Sequence, residues 1–347
     1  MKILYISHQQ ENSGYGRSCR DYLQAIKETG AEVASFPVIL GNPGNIEEPT
    51  EKNDIRNSDI VIQHVLPHFM SYNGSFQKNI GICLNETSSE FTDWQAYLDM
   101  MTEVWYPYSL TGKNRYTMPH PIDVDIYTRK YPKMNIKEAN GTYKFYWIGE
   151  ASKRKNLSAL LLAYLSSFTP SDPVSLIIKV NKSGYAPQDI KKEIEDLIIK
   201  TSEGLRMYPR DMYPRIFVIP EYWANEQICA LHKMCDCFVS TSYGEALCYP
   251  MIDAMGFNNS VICPVNFSNY YSKYGYMHVI PTQDEMCYGQ TESFDGHFTG
   301  FSKWKSINVE DLKTALKYEY NNRHKVDNDM SALSYKNIGS KILERLI

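Results

Sequence analysis

Apolar and polar positions alternate along this chain in blocks that switch between the periods of a strand and a helix. KILYIS (2–7) is a continuous apolar run with the length of a buried strand, and the stretch from about Arg17 to Thr29 has helical spacing and stops at Gly30, a C-cap residue. Further apolar runs lie at 33–39, 59–63, 79–84 and 103–107, with a helical stretch near 91–101. A second series predicts strands at 143–149, 174–180, 215–219, 236–241 and 260–264, separated by helices at 156–168, 187–201, 224–235 and 249–257. Strands alternating with helices at this spacing imply parallel sheets built from right-handed βαβ units. Residues 118–142, rich in proline and charge and without periodicity, read as a linker. Residues 281–306 are polar and aromatic with no period and read as loops; helices near 309–322 and 327–346 close the chain. The expectation is two Rossmann-like, doubly wound α/β domains facing a cleft. They divide as 1–135 and 136–325, with 326–347 packing back on the first. No internal repeat exists beyond the similarity of the two halves.

Length and composition support this picture. A chain of 347 residues exceeds what one hydrophobic core usually holds. Its 43% apolar and 22% charged content is ordinary for a globular protein, whereas 27 tyrosines favour aromatic-lined clefts. No apolar run reaches 18 residues, so no transmembrane segment is expected. MKILYIS enters a strand directly and lacks the features of a signal peptide. Eight irregularly spaced cysteines read as reduced thiols and point to a cytoplasmic setting. The net charge of −4 argues against non-specific nucleic-acid binding.

The chemistry concentrates at 238–262, where an apolar strand enters a polar turn carrying Glu245, and Asp253 follows eight residues on inside a helix. In an open α/β sheet, ligands bind at the carboxyl ends of strands, so two acids there can hold the hydroxyls of a sugar and a ribose. Arg154 and Lys155 follow another strand and stand where a phosphate would be met. The bland reading of KRK (153–155) is a solvated helix start, but cations at that end oppose the helix dipole and call for an anion. Near the N-terminus, ENSGYGR (11–17) places Gly14 and Gly16 at the start of a helix, where backbone can approach a ligand or simply turn. This is not G-x-G-x-x-G, which disfavours a hydride-transfer cofactor. His232, Cys235 and Cys237 lack a zinc spacing, Pro67 prevents a helix between His64 and His68, and no G-x-S-x-G or Walker motif occurs. No metal site is expected.

Three segments, YWIGEASKRKNLSALLLAYLSSF (146–168), EYWANEQICALHKMCDCFVSTS (221–242) and GEALCYPMIDAM (244–255), resemble the retaining glycosyltransferases of the GT-B fold, family 4, the group 1 glycosyl transferases. The specific match spans 146–255; SGYGR (13–17), DIVIQH (59–64) and MPHPID (118–123) match loosely. The last of the three segments is similar to the family's Glu-x7-Glu motif, with Asp253 as the second acid. The resemblance implies that Arg154 and Lys155 neutralise the donor diphosphate, that Glu245 contacts the transferred sugar, and that Asp253 contacts the ribose. Ala246, Leu247 and Cys248 would line the donor with Gly14 and Gly16, and His64 would face the sugar or move the acceptor proton. Glu86, Tyr15 and Arg17 are candidates for the acceptor side, and His120 is read as structural. The chain departs from the family pattern in having Ala246, Cys248 and Asn258 at common glycine positions and Glu150 where a basic residue is frequent. Asn tolerates the left-handed backbone that glycine would supply.

The expected activity is therefore retaining transfer of a sugar from a nucleotide-diphosphate sugar to an acceptor hydroxyl. The resemblance implies neither a covalent nucleophile nor an essential metal, and the donor is a co-substrate rather than a cofactor. Closure about the linker would exclude water. The acceptor is open among glycan, lipid, small molecule and nucleic-acid base. A base-modifying transferase is one alternative, for which Arg17, Arg20, Lys113, Arg115 and the tyrosines would have to form a groove. A non-catalytic nucleotide-sugar binding module is another, and a phosphorylase or epimerase on the same fold a third.

Overall fold

The computed structural model describes all residues except 41–53, 89, 111, 183, 210–211, 291–297 and 325. The chain forms two compact units. One comprises Met1–Asn85, Glu90–Val124 and Met330–Ile347; the other comprises Glu86–Ser89 and Asp125–Asp329.

In the first unit, β1 (Lys2–Ser7), α1 (Gly14–Lys27), β2 (Glu32–Pro37), β3 (Ile60–His64), β4 (Lys78–Ile82), α2 (Gln95–Asp99), β5 (Glu103–Tyr106) and β6 (Arg115–Thr117) follow one another. The six strands make a parallel sheet in the order β2-β1-β3-β4-β5-β6. The three-residue β6, partly exposed, carries no apolar pattern and escapes a periodicity reading. The helix α1 starts at Gly14, three residues before the start expected from the spacing, because the Ser13 hydroxyl accepts the Gly16 N–H at 3.2 Å and caps it. The last helix of the chain, Tyr335–Leu346, packs on α1. A Cβ on Gly339 would lie 2.6 Å from the Ala25 carbonyl oxygen, so the glycine sets how closely the two helices approach. Tyr335 donates to Asp21 Oδ1 at 2.6 Å, and Arg345 pairs with Glu103 at 2.8 Å.

The second unit contains β7 (Tyr143–Glu150), α3 (Leu157–Ser167), β8 (Val174–Asn181), α4 (Pro187–Leu205), β9 (Arg215–Ile219), α5 (Asn225–Met234), β10 (Cys237–Val239), α6 (Tyr249–Gly256), β11 (Ser260–Pro264), α7 (Val265–Tyr271), β12 (His278–Ile280), β13 (Thr282–Met286), β14 (Lys303–Ile307) and α8 (Val309–Asn322). Its parallel sheet runs β12-β11-β10-β7-β8-β9. On one face Phe145, Trp147, Leu176 and Ile178 pack with Leu160, Leu161, Leu312 and Leu316 in one core. On the other, Tyr146 meets His232 and Phe238 edge-on.

The reading of 281–306 as loops is corrected: β13 and β14 form an antiparallel pair, and 291–297 lies outside the described residues. Four of the five β13 positions are exposed, so no alternation marks the strand. It is held instead through β14, whose buried Trp304 stacks on Tyr243 at 4.8 Å, and by the Lys305–Asp284 ion pair. Among the described residues no helix is long and apolar enough to cross a membrane.

Candidate functional site

In the second unit the chain runs outward from β7 through β8 to β9, then returns to the other side of β7 as β10. The strand order reverses there, and a crevice opens where adjacent strands send their connections to opposite faces. The loop after β7 carries Arg154 and Lys155 in a short 3₁₀ turn, Lys153–Lys155, and the loop after β10 carries Glu245. The basic residues thus precede α3 instead of opening it, separated from it by Asn156, which takes a left-handed φ of 50°.

The two loops are joined through backbone and side chains. Tyr243 N–H donates to the Arg154 carbonyl at 2.9 Å, and Thr241 Oγ1 donates to the Asn156 carbonyl at 2.9 Å. Glu245 then receives two cations. Arg154 Nη1 lies 3.2 Å from Glu245 Oε2 and donates to the Gly244 carbonyl at 2.7 Å, while Lys155 Nζ bonds Glu245 Oε1. Ser242 Oγ donates to the same oxygen at 2.6 Å. Burial pushes the Glu245 carboxyl up, but the charges of Lys155 and Arg154 and the hydrogen bonds from Lys155 and Ser242 outweigh it and hold it at about 2.

Glu86 completes the cluster. Its Oε1 lies 3.1 Å from Arg154 Nη2. Burial raises its carboxyl above the ordinary value; Arg154 opposes the rise and Glu245 adds to it. Glu86, an acceptor-side candidate by sequence, stands four residues beyond β4 and belongs with the second unit. Arg154 is lowered by burial, yet Glu86 and Glu245 carry it above its usual value. Its Nε is buried with no hydrogen-bond partner among the described residues, and its backbone N–H donates to Gln290 Oε1 at 2.9 Å.

Asp253 lies on α6, 5% exposed, and accepts from Tyr127 at 3.2 Å; the Tyr127 ring sits where a Cβ on Gly256 would be, at 2.3 Å. Ala246 is partly buried, Leu247 and Cys248 are buried, and Cys248 adopts φ 52° at the start of α6. A cysteine therefore holds the left-handed geometry that favours glycine, and burial pushes its thiol up to about 12. Asn258 is likewise left-handed, at φ 61°.

The N-terminal candidates gather in the first unit, at the corresponding reversal beside β1. Gly14 and Gly16 are in the first turn of α1, and a Cβ on Gly16 would lie 1.9 Å from the Glu11 carbonyl oxygen, so Gly16 is needed for packing within the unit. Arg17 lies 3.8 Å from Asp21. His64 is fully buried; Tyr5 hydroxyl engages its Nδ1 at 2.9 Å, Ser18 Oγ lies 3.4 Å from its Nε2, and the Tyr15 and Tyr22 rings close over it. Burial, with His120 and His8 nearby, lowers its basicity well below normal. The structure thus places His64, expected to face the sugar, in a packed position inside the first unit among aromatic rings.

Sequence reasoning missed Ser242, Gln290, Tyr127 and Lys179. The signal for Lys179 was a lone cation in the apolar run VSLIIKV. It is 5% exposed on the face of β8 opposite the main core, donates to the Val180 carbonyl at 3.3 Å and lies 5.7 Å from the Trp223 ring centroid. Burial pushes it down to about 8 from 10.5, against the pull of Glu221. Between those values the unfolded chain binds a proton that the folded chain does not, so stability rises with pH across about 8 to 10.5 and the charge is a cost below it. Lys179→Met is accordingly expected to stabilise the protein by roughly 1–2 kcal/mol at pH 7, with the advantage shrinking by pH 10. Urea melts at the two pH values measure this, and a less stable variant at pH 7 would overturn it.

No family model matches the chain, and no curated protein matches it. Solved structures do. Apo OtsA superposes with a TM-score of 0.67 at 10% identity, covering 100% of this chain and 99% of its own. Sucrose-phosphate synthase of Thermosynechococcus elongatus gives 0.59 at 13% identity over 100% and 94%. HepE of Anabaena in complex with UDP-glucose gives 0.56 at 13% identity over 100% and 99%. Two six-stranded parallel sheets with flanking helices, superposed along the whole chain, establish that this protein has the GT-B glycosyltransferase fold.

Proposed function

We propose that the protein is a retaining glycosyltransferase that moves a sugar from a nucleotide-diphosphate sugar to an acceptor hydroxyl. The observation that carries this reading is the convergence of Arg154, Lys155 and Glu245 at the reversal point of the second sheet. Two helix starts, those of α3 and α6, flank these loops, and neither is capped by a side chain. Uncapped N–H groups and a positive dipole end suit a phosphate.

Cleaving the sugar–phosphate bond leaves negative charge on the departing diphosphate. Arg154 and Lys155 meet that charge as it develops, in a buried setting where it counts most. Glu245 keeps both cations aimed and reaches toward a sugar hydroxyl. Asp253, steadied by Tyr127, takes the ribose side. With leaving group and acceptor on one face of the sugar, retention requires no covalent nucleophile. The two side-chain cations do the work a divalent ion would otherwise do, so turnover survives chelation. HepE was solved with UDP-glucose, which makes a UDP-sugar the first donor to try.

The test is a thermal-shift screen against UDP-, GDP-, ADP- and TDP-sugars, with mass spectrometry of each incubation for released nucleotide. Selective stabilisation by one donor with its slow hydrolysis is the expected result. Stabilisation without cleavage in the presence of any acceptor identifies a binding module. No response to any nucleotide overturns the reading.

A further inference from the structure

We propose that Glu86 is a built-in counter-ion of the phosphate site, and that binding of a diphosphate draws a proton onto it. The inference rests on the donor-site reading above and adds a residue and a linkage to it. The cluster is balanced as it stands: Arg154 and Lys155 face Glu245 and Glu86, two charges against two. Glu150 adds a further acid nearby. A diphosphate arriving on the same cations would place like charges side by side, and one carboxylate has to give way.

The geometry selects Glu86. Glu245 is 5% exposed in its side chain and is held by Arg154, Lys155 and Ser242 together. Glu86 is 32% exposed in its side chain, and among the described residues its one ion-pair partner is Arg154. Its backbone is hemmed in on the carboxyl side. The Glu86 carbonyl oxygen occupies the place a Cβ on Gly244 would take, 1.8 Å away, and Ser88 N–H donates to the Lys303 carbonyl at 2.8 Å. The segment thus has little room to retreat, and neutralising the carboxyl is the direct route. The groups facing Glu86 are Arg154, Glu245, Lys155 and Glu150; a bound diphosphate cancels the first and third and leaves the acids to raise its proton affinity. Affinity therefore rises as pH falls through the range in which the bound form takes up the proton. It levels off below the range of the free form.

The experiment is titration calorimetry of UDP and of inorganic pyrophosphate into the full chain between pH 5.5 and 8, in buffers of differing ionisation enthalpy. The wild type is expected to take up a measurable fraction of a proton. Glu86→Gln is expected to abolish that uptake, flatten the pH dependence and bind roughly tenfold tighter, since it removes a like charge from the site. Binding of UDP with no proton uptake by the wild type overturns the inference and leaves the donor site standing. So does a Glu86→Gln affinity no better than wild type. Absence of binding by either protein to either probe overturns both readings.

Discussion

Arg154→Ala is expected to lower sugar transfer by about 10²–10³ in turnover, the loss seen when one preorganised donor to a developing anion is removed. The sequence alone would make this a clean site variant with an intact fold. The structure adds a second effect. Arg154 is the cation between Glu86 and Glu245 and also binds the Gly244 carbonyl, so its loss leaves two acids facing each other. Removing one partner of a buried ion pair costs about 3–5 kcal/mol. Part of that cost disappears as the pH falls and Glu86, the acid already raised by burial, is protonated. Lys155→Ala isolates the chemistry better, because Arg154 and Ser242 still hold Glu245. Turnover and thermal midpoint measured together on both variants separate the effects. Near-wild-type turnover in both would remove Arg154 and Lys155 from the donor site.

The second large effect is expected from a single methyl group. In Gly244→Ala the new Cβ would lie 1.8 Å from the Glu86 carbonyl oxygen and 2.9 Å from its carbon, both backbone atoms. No rotamer change relieves that collision, so one loop must move. Overpacking of this kind costs about 1–3 kcal/mol, occasionally more. In a unit of this size that corresponds to a fall of roughly 2–12 °C in thermal midpoint. Moving the Gly244 loop also shifts the neighbouring Glu245 on Arg154 and Lys155, so turnover falls with stability. Gly204→Ala is the control: it lies in α4, where a Cβ meets nothing within 4 Å. In the last turn of a helix alanine is favoured over glycine by less than the roughly 1 kcal/mol of a helix interior, so little change in midpoint is expected. If both substitutions behaved alike, the close approach of Glu86 to Gly244 would not exist in solution.

What could be read from sequence and what could not divide along a physical line. Continuous apolar strands such as KILYIS and SVICP, and amphipathic or apolar helices between them, are local signals; burial on both faces of a parallel sheet requires them, and they established the doubly wound class from sequence. Arg154, Lys155 and Glu245 were legible as site candidates because each follows a strand, and strand carboxyl ends are where such folds bind ligands. The hairpin β13–β14 was not legible, since its stability comes from Trp304 against Tyr243 rather than from its own alternation. Nor was the burial of His64, which depends on rings at Tyr15 and Tyr22 closing over it. The same holds for Glu86. Its charge is visible in the sequence, but its position over Gly244 and against Arg154, contacts across 158 and 68 residues, is set only when the chain has packed. By itself the sequence determined the periodic elements and the chemical kinds of the site. Which acid neutralises which cation was decided by tertiary structure, because ion pairing depends on distance in space and not on distance along the chain.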